Sequence, residues 1–270
     1  MTQPVALTIA GSDSGAGAGI QADLKTFAAL GVYGVTVITA VTAQNTIGVR
    51  AVQEIDVAVV SAQLDAVAED FRITAVKTGM LSNAPIIEAV SLGLRRHQLS
   101  RLVVDPVMVA KSGDRLLRED AVDALRRHLL PLAEVVTPNL PEAEVISGQS
   151  IHSLADRLLA AKAILRLGAR AVVVKGGHAG DDPVVDLLVS QRGIREFRAP
   201  RLSTTSTHGT GCTFSAAIAA GLASELDLEA AVGRAREYVS QALERAEPLG
   251  HGHGPLGHFP REEASDAIRR

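Results

Sequence analysis

VALTIAGSDSGAGAGIQADLKTFAALGVYGVTVITAV, residues 5–41, sets the pattern for the whole chain. Residues 5–10 are a short apolar run of the kind that forms a buried strand. Ala10 to Gly19, AGSDSGAGAG, follows at once and places four glycines in the nine positions from Gly11 to Gly19. From Gln21 to Leu30 the apolar residues return at helical spacing, so a helix begins near Ile20, and residues 35–41 are strand-like again. A strand, a glycine-rich turn, a helix and a second strand make a unit in which the two strands lie parallel, because a helical crossover brings the chain back to the same edge of the sheet.

The same alternation continues outward. Runs rich in Val and Ile recur at 73–78, 101–105, 134–137, 171–175 and 184–189, and residues 57–71, 84–97, 121–129 and 153–167 carry apolar side chains at helical spacing between them. This predicts an α/β fold: a central, mostly parallel sheet between helical layers, with its chemistry at the carboxyl edge of the strands. A long apolar-periodic stretch runs from Ala217 to about Leu243, and the tail from Gly250 to Pro260, rich in Gly, His and Pro, reads as a loop or surface strap. Its histidines, His251, His253 and His258, have no companion cysteine or acidic cluster beside them and are read as loop residues rather than metal ligands. No repeat, low-complexity linker or composition break divides the chain, so a single domain over 1–270 is expected.

With 270 residues, 47% of them hydrophobic, the chain is long enough to bury a core without disulfides or metal staples. A net charge of −3 and 3% aromatic residues offer neither a basic footprint nor stacking platforms for nucleic acid. No apolar run of about 18 residues is free of polar interruption, and the N-terminus lacks the basic and apolar regions of a signal peptide, which predicts a cytoplasmic protein without a membrane partner.

Three stretches carry chemistry. Thr204–Thr213, TTSTHGTGCT, runs directly into FSAAIAAGLA, whose small and apolar residues predict a tightly packed buried helix. Gly209, Thr210 and Gly211 at its entrance would aim N–H groups at one point and form a nest for a phosphoryl group in transit. Cys212 would follow in the first helical turn, where the partial positive charge is expected to lower its pKa and let a thiolate take a proton from an attacking hydroxyl. Asp105 and Glu142 stand at the ends of two neighbouring strands and are the carboxylates expected near Mg2+, which needs only one or two beside phosphate oxygens. Finally, Lys77, Lys111 and Lys175, three of only five lysines, all fall in strand-end segments, as suits phosphate handling. The glycine-rich turns at 11–19 and 111–113 are candidate lids.

Taken together, TIAGSDSGAGAGIQADLKTF at 8–27, GVYGVTVITAVTAQNT at 31–46, VKTGML at 76–81, VVDPVMVAKSGDRLL at 103–117, TPNLPEA at 137–143, VVVKGGH at 172–178, STHGTGCTFSAAIAAGLA at 206–223 and GHGHGPLGHF at 250–259 closely resemble the ribokinase-like superfamily. Within it, they resemble the bacterial hydroxymethylpyrimidine and phosphomethylpyrimidine kinases of thiamine biosynthesis. The resemblance spans nearly the whole chain and implies a three-layer α/β/α sandwich, ATP and Mg2+ as partners of a pyrimidine substrate, and a homodimer.

By the same resemblance, Gly209–Cys212 correspond to the anion hole and catalytic base, with cysteine where sugar kinases of this fold carry aspartate. Gln44 corresponds to the pyrimidine-binding glutamine, whose amide both donates and accepts, and Gly11, Asp23, Met80 and Val107 to its pocket. Asp105, Asn139, Glu142, Lys175 and Thr207 correspond to the nucleotide side. Ser206 stands where many relatives have Asn, and Phe214 where others have Leu. The implied activity is phosphorylation of a hydroxymethyl group by ATP, then of the resulting monophosphate. Pyridoxal kinases with the same cysteine motif are the alternative, but they resemble each other in a second, lid cysteine, and this chain has one cysteine. A binding protein that had lost catalysis would be expected to lack part of the nest, the base or the acids, and all of these are present.

Overall fold

A computed structural model describes residues 3–109, 119–177, 180 and 182–259. The chain runs β1 (Val5–Asp13), α1 (Gly19–Ala29), β2 (Tyr33–Gln44), β3 (Val49–Glu54), α2 (Val57–Asp70), β4 (Ala75–Thr78), α3 (Ala84–Arg96), β5 (Leu102–Val104), α4 (Glu119–Ala124), β6 (Ala133–Val136), α5 (Leu140–Ser147), α6 (Leu154–Arg166), β7 (Ala171–Val174), β8 (Val184–Ser190), β9 (Gly193–Ala199), α7 (Thr210–Ala223) and α8 (Leu228–Glu244). All nine strands join one sheet in the order β3-β2-β1-β4-β5-β6-β7-β8-β9. Strands β2, β1, β4, β5, β6 and β7 run parallel, and β3, β8 and β9 are antiparallel additions at the two edges.

Alternation along each strand divides the core in two. Leu7, Ile9, Val76, Leu102 and Val104 face one way and pack against α2, α3, α4, α5 and α6. Ala6, Ala75, Val103, Val135 and Val173 face the other way, against α1, α7 and α8. The expected three-layer sandwich is thus formed. From Thr213 to Ala223 every residue of α7 is buried, most of them the small residues Ala, Gly and Ser.

The elements differ from the sequence reading in three places. Strands β3 and β9 were not expected, because these edge strands are mostly exposed and their residues carry no apolar alternation. The long stretch ending near Leu243 is two helices, broken where Glu225 takes φ 66° and the Asp227 side chain caps α8 by accepting from Ala230 N. The helix read over 121–129 begins as α4 and widens into a π-helical turn at Leu125–Leu129.

Position matters most at β1. The chain leaves β1 for β2 on one side and later returns to β4 on the other, so the carboxyl ends of β1 and β4 flank a switch in direction, the place where parallel sheets open a crevice.

Candidate active site

A cleft of about 730 Å³ opens along that edge. Gly11, Gln44, Met80, Val107, Asp105, Asn139, Glu142, Lys175, Thr207, Gly209, Thr210, Gly211 and Cys212 all line it. Lys111, Ser112, Gly113 and His178 lie outside the described residues.

The α7 end of the cleft is built on backbone. Gly209 caps the helix at φ 82°, a left-handed conformation, and a Cβ there would collide with the carbonyl oxygen of Gly17. Thr210 Oγ1 donates to Thr207 O at 2.8 Å, fixing the turn. The first N–H groups of the helix have no acceptor within the helix, Thr210 N donates outside it to Thr207 O at 3.4 Å, and Gly209–Cys212 line the cleft at the positive end of the dipole.

Against this turn lies a charged pair. Lys175, at the end of β7, places Nζ 3.0 Å from Asp105 Oδ1, and a Cβ on Gly211 would lie 3.2 Å from that Nζ. Burial pulls the Lys175 amine down, but Asp105 and Glu142 outweigh it and hold it above its usual value. Asp105 Oδ2 is buried and receives no hydrogen bond. Glu142 closes a capping box: its carboxylate accepts from Asn139 N at 2.8 Å, while Asn139 Oδ1 accepts from Glu142 N at 2.9 Å. Burial pushes Glu142 up to about 7, with Lys175 pulling the other way and Asp105 adding to the rise.

These residues fit a divalent cation of the magnesium kind. The buried, unbonded oxygen of Asp105 is an open acceptor, and Glu142 is a second carboxylate beside the same lysine. Among the described residues no three His, Cys, Asp or Glu side chains converge, so an ion held here would complete its shell with water and phosphate oxygens, as Mg2+ does.

The β1 and β2 end is polar around Gln44. Ser14 Oγ donates to Gln44 O and accepts from Gln44 N, which locks the backbone, and the Gln44 amide reaches Thr42 Oγ1 at 3.2 Å and His208 Nε2 at 3.4 Å. Gly11 lies against Met80: a Cβ on Gly11 would be 3.2 Å from the Met80 sulfur.

Two expectations are corrected. Asp23 does not line the cleft: it is fully buried in α1, where its carboxylate takes Lys77 Nζ at 2.8 and 3.0 Å and Thr8 Oγ1 at 2.6 Å. Lys77, on β4, is what reaches the cleft from this pair. Burial disfavours the Lys77 ammonium, yet Asp23 opposite it more than compensates and keeps it charged. Nor is the Cys212 thiol lowered by its helix. Desolvation pushes it up to about 11, with Lys77 pulling down, Asp105 and Asp23 pushing up, and the Gly19 N–H pulling down. A partial charge at a helix end is worth less here than the loss of water.

Asp13 and His208 are cleft residues that the sequence reading did not single out. His208 Nε2 lies 2.8 Å from Asp13 Oδ2 across 195 positions of sequence. Burial raises the Asp13 carboxyl, but hydrogen bonds from His208 and from the N–H groups of Ala18 and Gly15 outweigh it and hold it below the ordinary carboxylate range. Their signal was their place, one inside the first glycine loop and one beside the second.

One cleft thus has an end built from the α7 N-terminus, Lys175 and two carboxylates and, across from it, an end built around the Gln44 amide with His208 and Asp13 beside it. That division is the layout of a small-molecule kinase, an α/β enzyme that carries a phosphoryl group from one end to the other. Residues 13–257 match the family described as phosphomethylpyrimidine kinase, and the chain belongs to that family. It is 55% identical over 260 residues to the hydroxymethylpyrimidine/phosphomethylpyrimidine kinase of Rhizobium meliloti, covering 95% of this chain and 97% of the relative. Among solved structures it is similar to the phosphomethylpyrimidine kinase of Clostridium difficile, at 44% identity and TM-score 0.80 over 89% of this chain and 99% of the other. It is also similar to the pyridoxal kinase of Bacillus subtilis, solved as an ADP complex, at 40% identity and TM-score 0.89 over 95% of this chain and 98% of the other.

Proposed function

We propose that the protein uses ATP to phosphorylate 4-amino-5-hydroxymethyl-2-methylpyrimidine to its monophosphate and then to its diphosphate, for thiamine diphosphate biosynthesis. The observation that carries this reading is the opposition, within one cleft, of the Gln44 amide to the N-terminus of α7 with its Lys175–Asp105 pair. Gln44 can donate to a ring nitrogen and accept from an exocyclic amine, and Gly11, Met80 and Val107 close around the ring. The γ-phosphoryl group, as it leaves ADP, is met by the N–H groups of Gly209–Cys212 and by Lys175, which need not reorganise to stabilise it. Asn139 and Thr207 line the nucleotide side. Asp105 and Glu142 would hold Mg2+, which supplies charge neutralisation on the phosphate oxygens.

In the first step the substrate hydroxyl oxygen bonds to phosphorus, the bond to the ADP oxygen breaks, and the hydroxyl proton passes to the Cys212 sulfur as thiolate. With the thiol near 11, that thiolate is a minor form at neutral pH, and Lys77 is the neighbouring cation that favours it. The second step has an anionic phosphate oxygen as nucleophile and needs no base. The reading includes one kinase domain over 1–270, homodimeric and cytoplasmic. Support for the domain is the single sheet, which draws strands from Val5 to Ala199.

The test incubates the protein with Mg-ATP and, separately, hydroxymethylpyrimidine, its monophosphate and pyridoxal, following ADP and resolving products by mass. Both pyrimidine products are expected. Pyridoxal phosphate alone would overturn the reading in favour of the second one, which the similarity to the Bacillus subtilis pyridoxal kinase supports and the single cysteine disfavours. Cys212→Ala should slow the first step about 100-fold or more and the second far less. Equal losses would make the thiol a positioning group rather than a base.

A further inference from the structure

Asp13 closes β1 and His208 precedes the nest of α7, and neither is used by the phosphoryl transfer described above. Asp13 gathers the whole turn that follows it. Its Oδ1 accepts from Gly15 N at 2.8 Å, and its Oδ2 accepts from Gly17 N at 3.1 Å and Ala18 N at 2.9 Å. The same Oδ2 takes His208 Nε2 at 2.8 Å, so with a carboxylate as acceptor that ring nitrogen carries the proton, and Gln44 Nε2 at 3.4 Å is a contact to it and not a hydrogen bond. Both side chains are almost wholly buried, at 3% exposure for Asp13 and 10% for His208.

The two glycine loops also touch by shape. A Cβ on Gly17 would collide with the His208 ring, as one on Gly209 would with Gly17 O. His208 is itself held from behind, since its backbone N–H donates to Gly254 O at 3.0 Å in the tail strap. That strap is tied to the β2–β3 turn by His253 N donating to Thr46 O at 2.9 Å, and to α7 by His258 Nε2 at 3.0 Å from Thr213 Oγ1. The GHGHGPLGHF segment, which the kinase chemistry leaves without a role, therefore braces the residue that meets Asp13.

We propose that Asp13 and His208 are positioning residues that act as one clasp, joining the acceptor-side loop at 13–18 to the phosphoryl-side nest at 209–211 so that the acceptor oxygen stands in line with the phosphorus. The pair touches neither reacting atom. It fixes the distance between the two walls, and in-line attack is sensitive to misplacements of about 1 Å. This rests on the kinase reading above, and the test separates the two.

Asp13→Asn, His208→Gln and the double variant are compared with the unaltered chain for kcat and for both KM values. Each single variant should lose about 10- to 100-fold in kcat with KM for ATP changed less than about twofold, and the double should be no worse than the poorer single, because residues that act as a unit are non-additive. Multiplying losses in the double, or a folded single variant within about twofold of the unaltered kcat, would overturn the clasp. In case the variants do not fold, amide hydrogen exchange is read on the unaltered chain. Segments 14–18 and 206–211 should share one protection level, and rates differing by more than about tenfold would show that the loops open separately and overturn the proposal. If the unaltered chain phosphorylates none of the three acceptors, the kinase reading fails, while the exchange experiment still decides the clasp.

Discussion

Asp23→Asn probes the charged pair beneath the cleft. In the native protein Lys77 and Asp23 are both 0% exposed, with Nζ 2.8 and 3.0 Å from the two carboxylate oxygens. The substitution keeps the shape and an acceptor for Thr8 Oγ1, and removes the only charge that Lys77 directly bonds among the described residues. Stranding one member of a buried pair costs about 3–5 kcal/mol, a large part of the roughly 5–15 kcal/mol of a whole domain. For a chain of this size that is a fall in Tm of about 6–20 °C. Part of the loss should return as pH rises toward 10. In the variant the folded-state pKa of Lys77 is depressed below its unfolded value, so the unfolded chain binds more protons in that window and deprotonation favours the fold. Replacing both residues, Asp23→Asn with Lys77→Met, should recover most of the stability, because no charge is left without a partner. Urea unfolding followed by far-UV circular dichroism gives the four corners of the cycle, with a common m-value as the check on two-state behaviour. A single-variant cost below about 1 kcal/mol, or a double-variant cost equal to the sum of the singles, would refute the reasoning, since a solvated pair is worth about that little.

Two further substitutions address the nest and the strap. Gly209→Ala puts a Cβ at φ 82° against Gly17 O. It should lower kcat about 100-fold or more in steady-state assays of a variant whose circular dichroism is native, because in the proposed reaction the N–H groups it displaces meet the transferring phosphoryl group. His258 is buried, with its pKa lowered to about 4 by desolvation and by Lys25 nearby, against an ordinary 6.5. A depressed histidine contributes stability above its unfolded pKa and loses it as pH falls from 6.5 toward 4, about 3 kcal/mol in all. His258→Gln should therefore show a smaller drop in Tm between pH 7 and pH 5 than the unaltered chain; parallel curves would assign the acid sensitivity elsewhere.

What the sequence made legible follows from how each feature is encoded. Central strands such as β1 and β7 are buried on both faces and leave unbroken apolar runs, and α7 announces itself by small residues at helical spacing. Edge strands β3 and β9 leave no such trace, because solvent accepts almost any side chain there. The cleft was legible where glycine or a strand end marks a position, as at Gly209, Asp105 and Lys175. It was not legible where side chains meet only through the fold. Asp23 sits in a helix whose buried face also takes Ala22, Thr26 and Phe27, and nothing in that spacing distinguishes a cleft residue from the buried partner of Lys77. The rise of the Cys212 thiol has a related cause, since a helix end is visible in sequence and the packing that half-buries the thiol is not.

The burial of α7 has a consequence in time as well as in space. Its sheet-facing neighbours Ala6, Ala75 and Val103 are made early, and the helix that covers them starts only at Thr210. From Val104 to Thr210, at a synthesis rate of about 5–20 residues per second, that face of the newborn sheet waits on the order of 10 s with α1 alone over it. The glycine turn at 209–211 arrives with the same helix, so the emerging chain acquires the rest of its shield and that wall of the cleft in one late event, and a ribosome stalled before residue 210 holds a sheet with neither.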